Sequence, residues 1–170
     1  MAIRSVSHVV IHTAAARRVT PTGWKPVDQS AETIRAYHLS KGWSDIGYHW
    51  VVRMDGTVEE GRHERYAGAH REGFNISSIG VCFTGHGDIA DFTEAQKEAG
   101  AKLVAEILVR HKIDDEFLQN MNRVLGHRES NVIVKPEYKT TKTCPGVKVD
   151  MREFRLRVRK ALEALHSPSE

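Results

Sequence analysis

Three short runs rich in β-branched residues, set among stretches with helical spacing, constrain this chain's fold more than any other feature. Residues 7–13 (SHVVIHT), 47–54 (GYHWVVRM) and 76–84 (ISSIGVCFT) each read as a strand. The third is apolar enough to lie buried at the centre of a sheet. Asp55-Gly56 follows the second run and is a strong two-residue hairpin signal, with 57–61 returning antiparallel. Val124 and Leu125 make a further short apolar stub.

Helix signals lie between the first two runs and beyond the third, while glycines and charges fill 61–74. Ser30 is a suitable N-cap for a helix running to about Lys41, with Ile34, Tyr37, His38 and Lys41 on one face and Gly42 as the stop. Thr93 opens a longer helix to about Lys112, and Gln96 three residues on completes a capping box. Ala95, Ala99, Leu103 and Ile107 share a face of that helix. The last helix, about 151–165, aligns Phe154, Val158, Ala161 and Leu165, while Arg152, Arg155, Arg157, Arg159 and Lys160 occupy its other faces. Pro21, Gly23 and Pro26 mark the segment up to Gln29 as a loop, and 130–143, polar with Pro136, as another. Residues 167–170 read as a frayed tail. Alternation of strand and helix predicts one α/β domain over 1–170, a central mixed sheet flanked by helices. Its core is expected at about 6–154, with the basic C-terminal helix at about 151–165.

A chain of 170 residues fits one domain and can bury a core without disulfides. No apolar run approaches the roughly 18 residues of a membrane span, so no stable membrane insertion is expected. Residues 1–8 (MAIRSVSH) lack the apolar stretch and small-residue cleavage site of a signal peptide. A net charge of +3 suits an anionic polymer but does not choose among nucleic acid, acidic lipid and cell-wall material. There is no dense basic block with interleaved aromatics, so nucleic acid is not the expected partner. Two cysteines argue against a disulfide scaffold, although Cys82 and Cys144 could pair in an oxidising compartment. Ten histidines exceed the usual number for this length and favour a metal site.

No compact zinc motif is present, so any metal site must be assembled from distant segments. His8 and His12 face the same way on the first strand but stand about 13 Å apart, at roughly 3.3 Å per residue. One ion cannot take both. His12 lies where the strand gives way to the small residues Thr13, Ala14, Ala15 and Ala16, which leave room above a metal. His127 follows Gly126, which lets the backbone turn the ring inward, and Cys144 precedes the tight turn Pro145-Gly146. Two imidazoles and a thiolate would leave a fourth zinc position open, as catalytic sites require. Each residue alone is as well explained by ordinary packing or surface exposure.

Taken together, several segments resemble a family. They are 9–14 (VVIHTA), 43–50 (WSDIGYHW), 55–57 (DGT), 67–70 (AGAH), 75–81 (NISSIGV), 126–128 (GHR) and 143–146 (TCPG). In this order, and over about 6–154, they look like the type 2 N-acetylmuramoyl-L-alanine amidases, which include phage lysozyme-type amidases and animal peptidoglycan recognition proteins. The resemblance implies a mixed-sheet fold, a Zn2+ cofactor and the ligands His12, His127 and Cys144. It implies catalytic roles for Tyr48 and Lys142 and substrate contacts at His70, while Asn75 would order its loop or touch the peptide. Members that bind without cutting typically lack the cysteine, and wall-recycling members carry aspartate there, so Cys144 points to the phage-type branch. By strand alternation from Tyr48, His49 is read as structural.

The expected reaction is hydrolysis of the amide between N-acetylmuramic acid and L-alanine in peptidoglycan. The expected context is a monomeric phage or prophage endolysin made in the host cytoplasm and acting on the wall from the periplasm. One rival is a peptidoglycan-binding module without catalysis. Another is a glycosidase using two of Glu59, Glu60 and Glu64. The basic last helix could pack with its arginines outward or touch an anionic membrane or lipopolysaccharide.

Overall fold

Strand β1 (His8–Thr13) has parallel partners on both sides in the computed structural model, which describes residues 4–167. Val9, Val10 and Ile11 are fully buried, as expected of a parallel strand covered on both faces. Beside β1 lie β6 (Ser78–Phe83), buried along its whole length, and β7 (Val124–Gly126). Strand β4 (Trp50–Val52) runs parallel to β6 on its far side, and β5 (Val58–Glu60) closes that edge antiparallel. The order is β5-β4-β6-β1-β7. This is the expected mixed sheet. The hairpin after β4 forms where Asp55-Gly56 predicts it, but its loop has three residues, Met54-Asp55-Gly56, not two: Gly56 N–H donates to Arg53 O, Arg53 N–H donates to Thr57 O, and Gly56 takes φ 90°.

Strand alternation sorts the core into two faces. Val9, Ile11, Ile79, Val81 and Phe83 meet α2 (Glu94–Arg110) and α4 (Met151–His166). Phe83 stacks on Phe92 at 4.1 Å and meets Phe154 edge-on at 5.4 Å. Val51 and Cys82 point to the other face, against Ala31 and Ile34 of α1 (Ala31–Ser40). The caps read from sequence are formed: Ser30 accepts from Thr33 N–H, and Thr93 and Gln96 complete the capping box. Gln96 does more than cap. Its buried amide donates to Val52 O and Thr84 O and so ties the start of α2 to the ends of β4 and β6. A short helix, α3 (Asp114–Gln119), links α2 to the approach of β7.

Several expectations are corrected. The segment read as a loop holds an antiparallel hairpin, β2 (Arg17–Thr20) and β3 (Gly23–Pro26). Gly23, at φ 114°, turns the chain, and Pro26 sits at a strand end where its missing N–H costs no ladder bond. The strand expected over 47–54 is regular only over Trp50–Val52. On α1, Ile34 and His38 are buried but Tyr37 and Lys41 are exposed. On α4 the buried stripe is Phe154, Val158 and Leu162, while Leu165 in the last turn is exposed. Residues 168–170 of the expected tail, and 1–3 of the N-terminus, lie outside the described residues.

The arginines of α4 are largely paired: Arg155 with Glu129, Arg157 with Glu94 and Glu153, Arg159 with Glu163. Among the described residues no helix is long and apolar enough to cross a membrane.

Glu64 gives the fold a measurable acid dependence. It accepts from Trp50 Nε1, Arg110 and His111 at 3.1, 2.6 and 2.6 Å. Burial alone would raise its pKa, but the hydrogen bonds from His111 and Arg110 outweigh that and hold it at about 2, below the ordinary 4.5. A carboxylate depressed in the fold stabilises it above pH 4.5, and that contribution is lost as pH falls from 4.5 to about 2. The displacement is worth about 3 kcal/mol. Acid unfolding of Glu64→Gln, compared with the parent between pH 5 and 2, should lack a loss of this order. Parallel pH profiles would remove Glu64 from the account.

Candidate metal centre

All four parallel strands end at one edge of the sheet, the edge where α/β folds place their ligands. His12 is the next-to-last residue of β1 and is buried on the same face as Cys82, its register partner on β6. His127 follows β7 directly, and its N–H donates to Ile11 O at 3.0 Å, continuing the β1–β7 pairing. Glu129 accepts from Gly126 N–H and from Arg155 of α4, and Ser130 Oγ donates to His127 O, so the turn carrying His127 is held from both sides. Cys144 is joined to the same elements: its carbonyl accepts from Arg128 N–H at 2.9 Å, and its sulfur accepts from Thr13 N–H at 3.4 Å.

A second clamp comes from the loop after β6, which sequence reasoning missed. Asp88 accepts from Thr143 Oγ1 at 2.8 Å and from Val147 N–H at 2.9 Å, bracketing Cys144. Gly87 O accepts from Lys148 N–H, and Gly87 N–H donates to Thr13 Oγ1. The two backbones approach so closely that a Cβ on Gly87 would stand 1.7 Å from Pro145 O. The only trace in the sequence is a Gly-His-Gly-Asp run at 85–88, which reads locally as an ordinary loop.

These supports bring one donor atom from each of His12, His127 and Cys144 within 4.8 Å of one another. His12 Nδ1 and the Cys144 sulfur are 3.7 Å apart. Tetrahedral zinc with its usual bond lengths sets a nitrogen–sulfur separation of about 3.5 Å, so this pair fits. The rings of His12 and His127 meet edge-on at 4.8 Å. Electrostatics agree with the geometry. Burial, followed by the cationic Arg71 and Lys142, lowers the His127 pKa to about 4, and burial above all holds His12 well below the ordinary imidazole value. Burial raises the Cys144 thiol to about 11. Without a cation the trio is thus two neutral imidazoles and a protonated thiol, which argues against a free thiolate nucleophile. The donor set suits a borderline-soft divalent ion that displaces the thiol proton.

The trio opens on a cavity of about 650 Å³, lined also by Tyr48, His70, Trp43 and Lys142. Tyr48 packs against His12 with ring centroids 5.1 Å apart. Burial, then the neighbouring Cys82 and Cys144, raises its phenol pKa well above the ordinary value, so the phenol stays a donor. Lys142 is exposed at the rim. His70 is buried behind His12, with His12 Nε2 and His70 Nδ1 2.9 Å apart. Asn75 is not among the lining residues; its Oδ1 accepts the N–H groups of His70 and Arg71 and so orders their loop. His49 is structural, accepting from Gly80 N–H and bonding Tyr66 O. Cys82 and Cys144 are both free thiols. Glu59 accepts from Ala31 N–H and Glu64 is held by three donors, so neither is a free acid facing the cavity.

The model of the family described as N-acetylmuramoyl-L-alanine amidase matches residues 3–147, which includes every residue of this centre. The endolysin of Klebsiella phage KP32 is 35% identical over 113 residues, covering 64% of this chain and 70% of that protein. The endolysin of Escherichia phage T7 is 42% identical over 84 residues, covering 46% of this chain and 56% of its own length. Among solved structures, the N-acetylmuramoyl-L-alanine amidase LysC from Clostridium intestinale URNW superposes with a TM-score of 0.70 over 91% of this chain and 86% of that one; at 22% identity it speaks to the fold alone. With the family match running from the first strand through the cysteine turn, this chain belongs to the N-acetylmuramoyl-L-alanine amidase family.

Proposed function

We propose that this chain is a zinc-dependent amidase that hydrolyses the bond between the lactyl group of N-acetylmuramic acid and L-alanine in bacterial peptidoglycan, as a monomeric phage or prophage endolysin acting on the wall. The observation that carries this reading is the convergence of His12, His127 and Cys144 within 4.8 Å at the floor of an open cavity. Zinc held there would polarise the scissile carbonyl and lower the pKa of water towards about 7.

The chain's own residues do the rest. Lys142, two residues before Cys144 and at the cavity rim, places an ammonium where negative charge develops on the carbonyl oxygen. Tyr48, kept protonated by its burial, donates a hydrogen bond from the wall beside His12 and assists proton delivery to the leaving amine. Small residues at 14–16 keep that mouth open for a branched muramyl peptide. Replacing Lys142 with alanine should lower turnover about 100-fold, the scale of one lost oxyanion donor, while zinc stoichiometry stays unchanged. Equal turnover would take Lys142 out of the mechanism.

Purified sacculi test the proposal as a whole. New L-alanine amino termini without new reducing sugar ends are expected. Binding without cleavage would leave a recognition module, and reducing ends would make the protein a glycosidase.

A further inference from the structure

Behind His12 runs a chain of side chains whose hydrogen-bond directions are fixed from its far end. Ser78 Oγ lies 2.7 Å from Phe74 O, a carbonyl that can only accept, so the serine hydroxyl donates there. Its oxygen is then left to accept from His70 Nε2, 3.3 Å away. A neutral His70 with its proton on Nε2 has a bare Nδ1, which must accept from His12 Nε2–H at 2.9 Å. His12 therefore presents an unprotonated Nδ1, the atom that faces the Cys144 sulfur. His70 is placed for this task by the sheet and its loop. A Cβ on Gly80 would stand 2.5 Å from its Cγ, and one on Gly68 would stand 2.7 Å from its Cδ2. Asn75 Oδ1 holds its backbone N–H at 2.9 Å.

We infer that His70, backed by Ser78, is a positioning residue that locks the tautomer and ring orientation of His12 for metal binding, through the directed series His12 Nε2–H to His70 Nδ1, His70 Nε2–H to Ser78 Oγ, and Ser78 Oγ–H to Phe74 O. This rests on the zinc reading of the His12, His127 and Cys144 centre. It differs from the substrate-contact role that resemblance suggests for His70, because both ring nitrogens are already engaged inside the protein. Partners of this kind typically govern metal affinity by 10–100-fold.

Two measurements test it. The first uses the metal-free wild-type chain: nitrogen-detected imidazole NMR should show His12 and His70 both protonated on Nε2 and bare on Nδ1. A proton on His12 Nδ1 would overturn the proposal whatever the metal does. The second is zinc affinity by chelator competition in His70→Leu and His70→Asn, with thermal unfolding of the metal-free forms to compare their folds. His70→Leu should bind zinc about 10–100-fold more weakly. His70→Asn, whose Oδ1 can stand in for Nδ1 as acceptor, should recover most of that loss, a rescue that mere space-filling would not give. Equal zinc affinity in His70→Leu and wild type, or weakening in both variants to the same degree, would overturn the role of His70 and leave the zinc centre standing. A wild-type chain that takes up no zinc would overturn both readings.

Discussion

Replacing Cys144 with alanine should remove zinc and amidase activity together. In the proposed centre Cys144 would supply the anionic ligand, and its loss would leave two imidazoles with nothing to complete the site. Several kcal/mol of transition-state stabilisation go with the metal, so turnover should fall by at least about 1,000-fold. The fold should survive, because without a cation Cys144 is a protonated thiol whose sulfur accepts one bond from Thr13 N–H. Metal analysis and a turnover assay on the same preparation check this. Cys82→Ala is the control: it removes a buried thiol from the core against α1 and should keep full zinc stoichiometry. Stoichiometric zinc and normal cutting in Cys144→Ala would refute the ligand assignment.

The second large effect is expected at a residue with no chemistry of its own. Gly87→Ala would put a methyl group 1.7 Å from Pro145 O and 2.7 Å from Pro145 C. Both are backbone atoms of the cysteine turn, so no side chain can swing away. On the other side of the contact, a Cβ on Gly146 would stand 2.0 Å from Gly87 C. One of the two loops must move, which costs roughly 3 kcal/mol by the scale of overpacked sites. Because Asp88 holds Thr143 and Val147, the displaced loop carries Cys144 away from His12. Zinc affinity should fall more than about 10-fold, alongside a lower unfolding temperature. A variant with wild-type zinc affinity and unfolding temperature would show that the close approach does not set the position of Cys144.

The contrast between these two residues shows what is legible in such a chain. Local signals predict local structure: the caps at Ser30 and Thr93 and the buried run of β6 form as expected, and the Asp55-Gly56 signal marks the hairpin, although its loop takes in Met54 as well. The hairpin over Arg17–Pro26 carries no strand signal, because proline and glycine, which normally break strands, here occupy its end and its turn. Angular position alone puts Leu165 on the buried stripe of α4 and does not say that the last turn is exposed, with Leu162 the last buried member of the stripe.

The centre divides in the same way. His12, His127 and Cys144 were nameable because each stands where a strand or turn ends and because the segments occur in a family's order. The backing of His12 by His70, separated by 58 residues, and the clamp of Asp88 on Thr143, separated by 55, have no local signature. They follow from strand order: β1 lies between β6 and β7, so the loop after β6 meets the cysteine turn beyond β7, while His70 reaches His12 from the loop ahead of β6. A sequence names the donors; the pairing of parallel strands decides what holds them.

Zinc titration into chelator-stripped protein, with cleavage of sacculi followed in the same samples, tests the central claim most directly. Activity should rise in proportion to bound zinc, saturate at one ion per chain, and release only peptides with free L-alanine amino termini. Full cleavage by the stripped protein, or one zinc per chain in a preparation that never cuts, would contradict it.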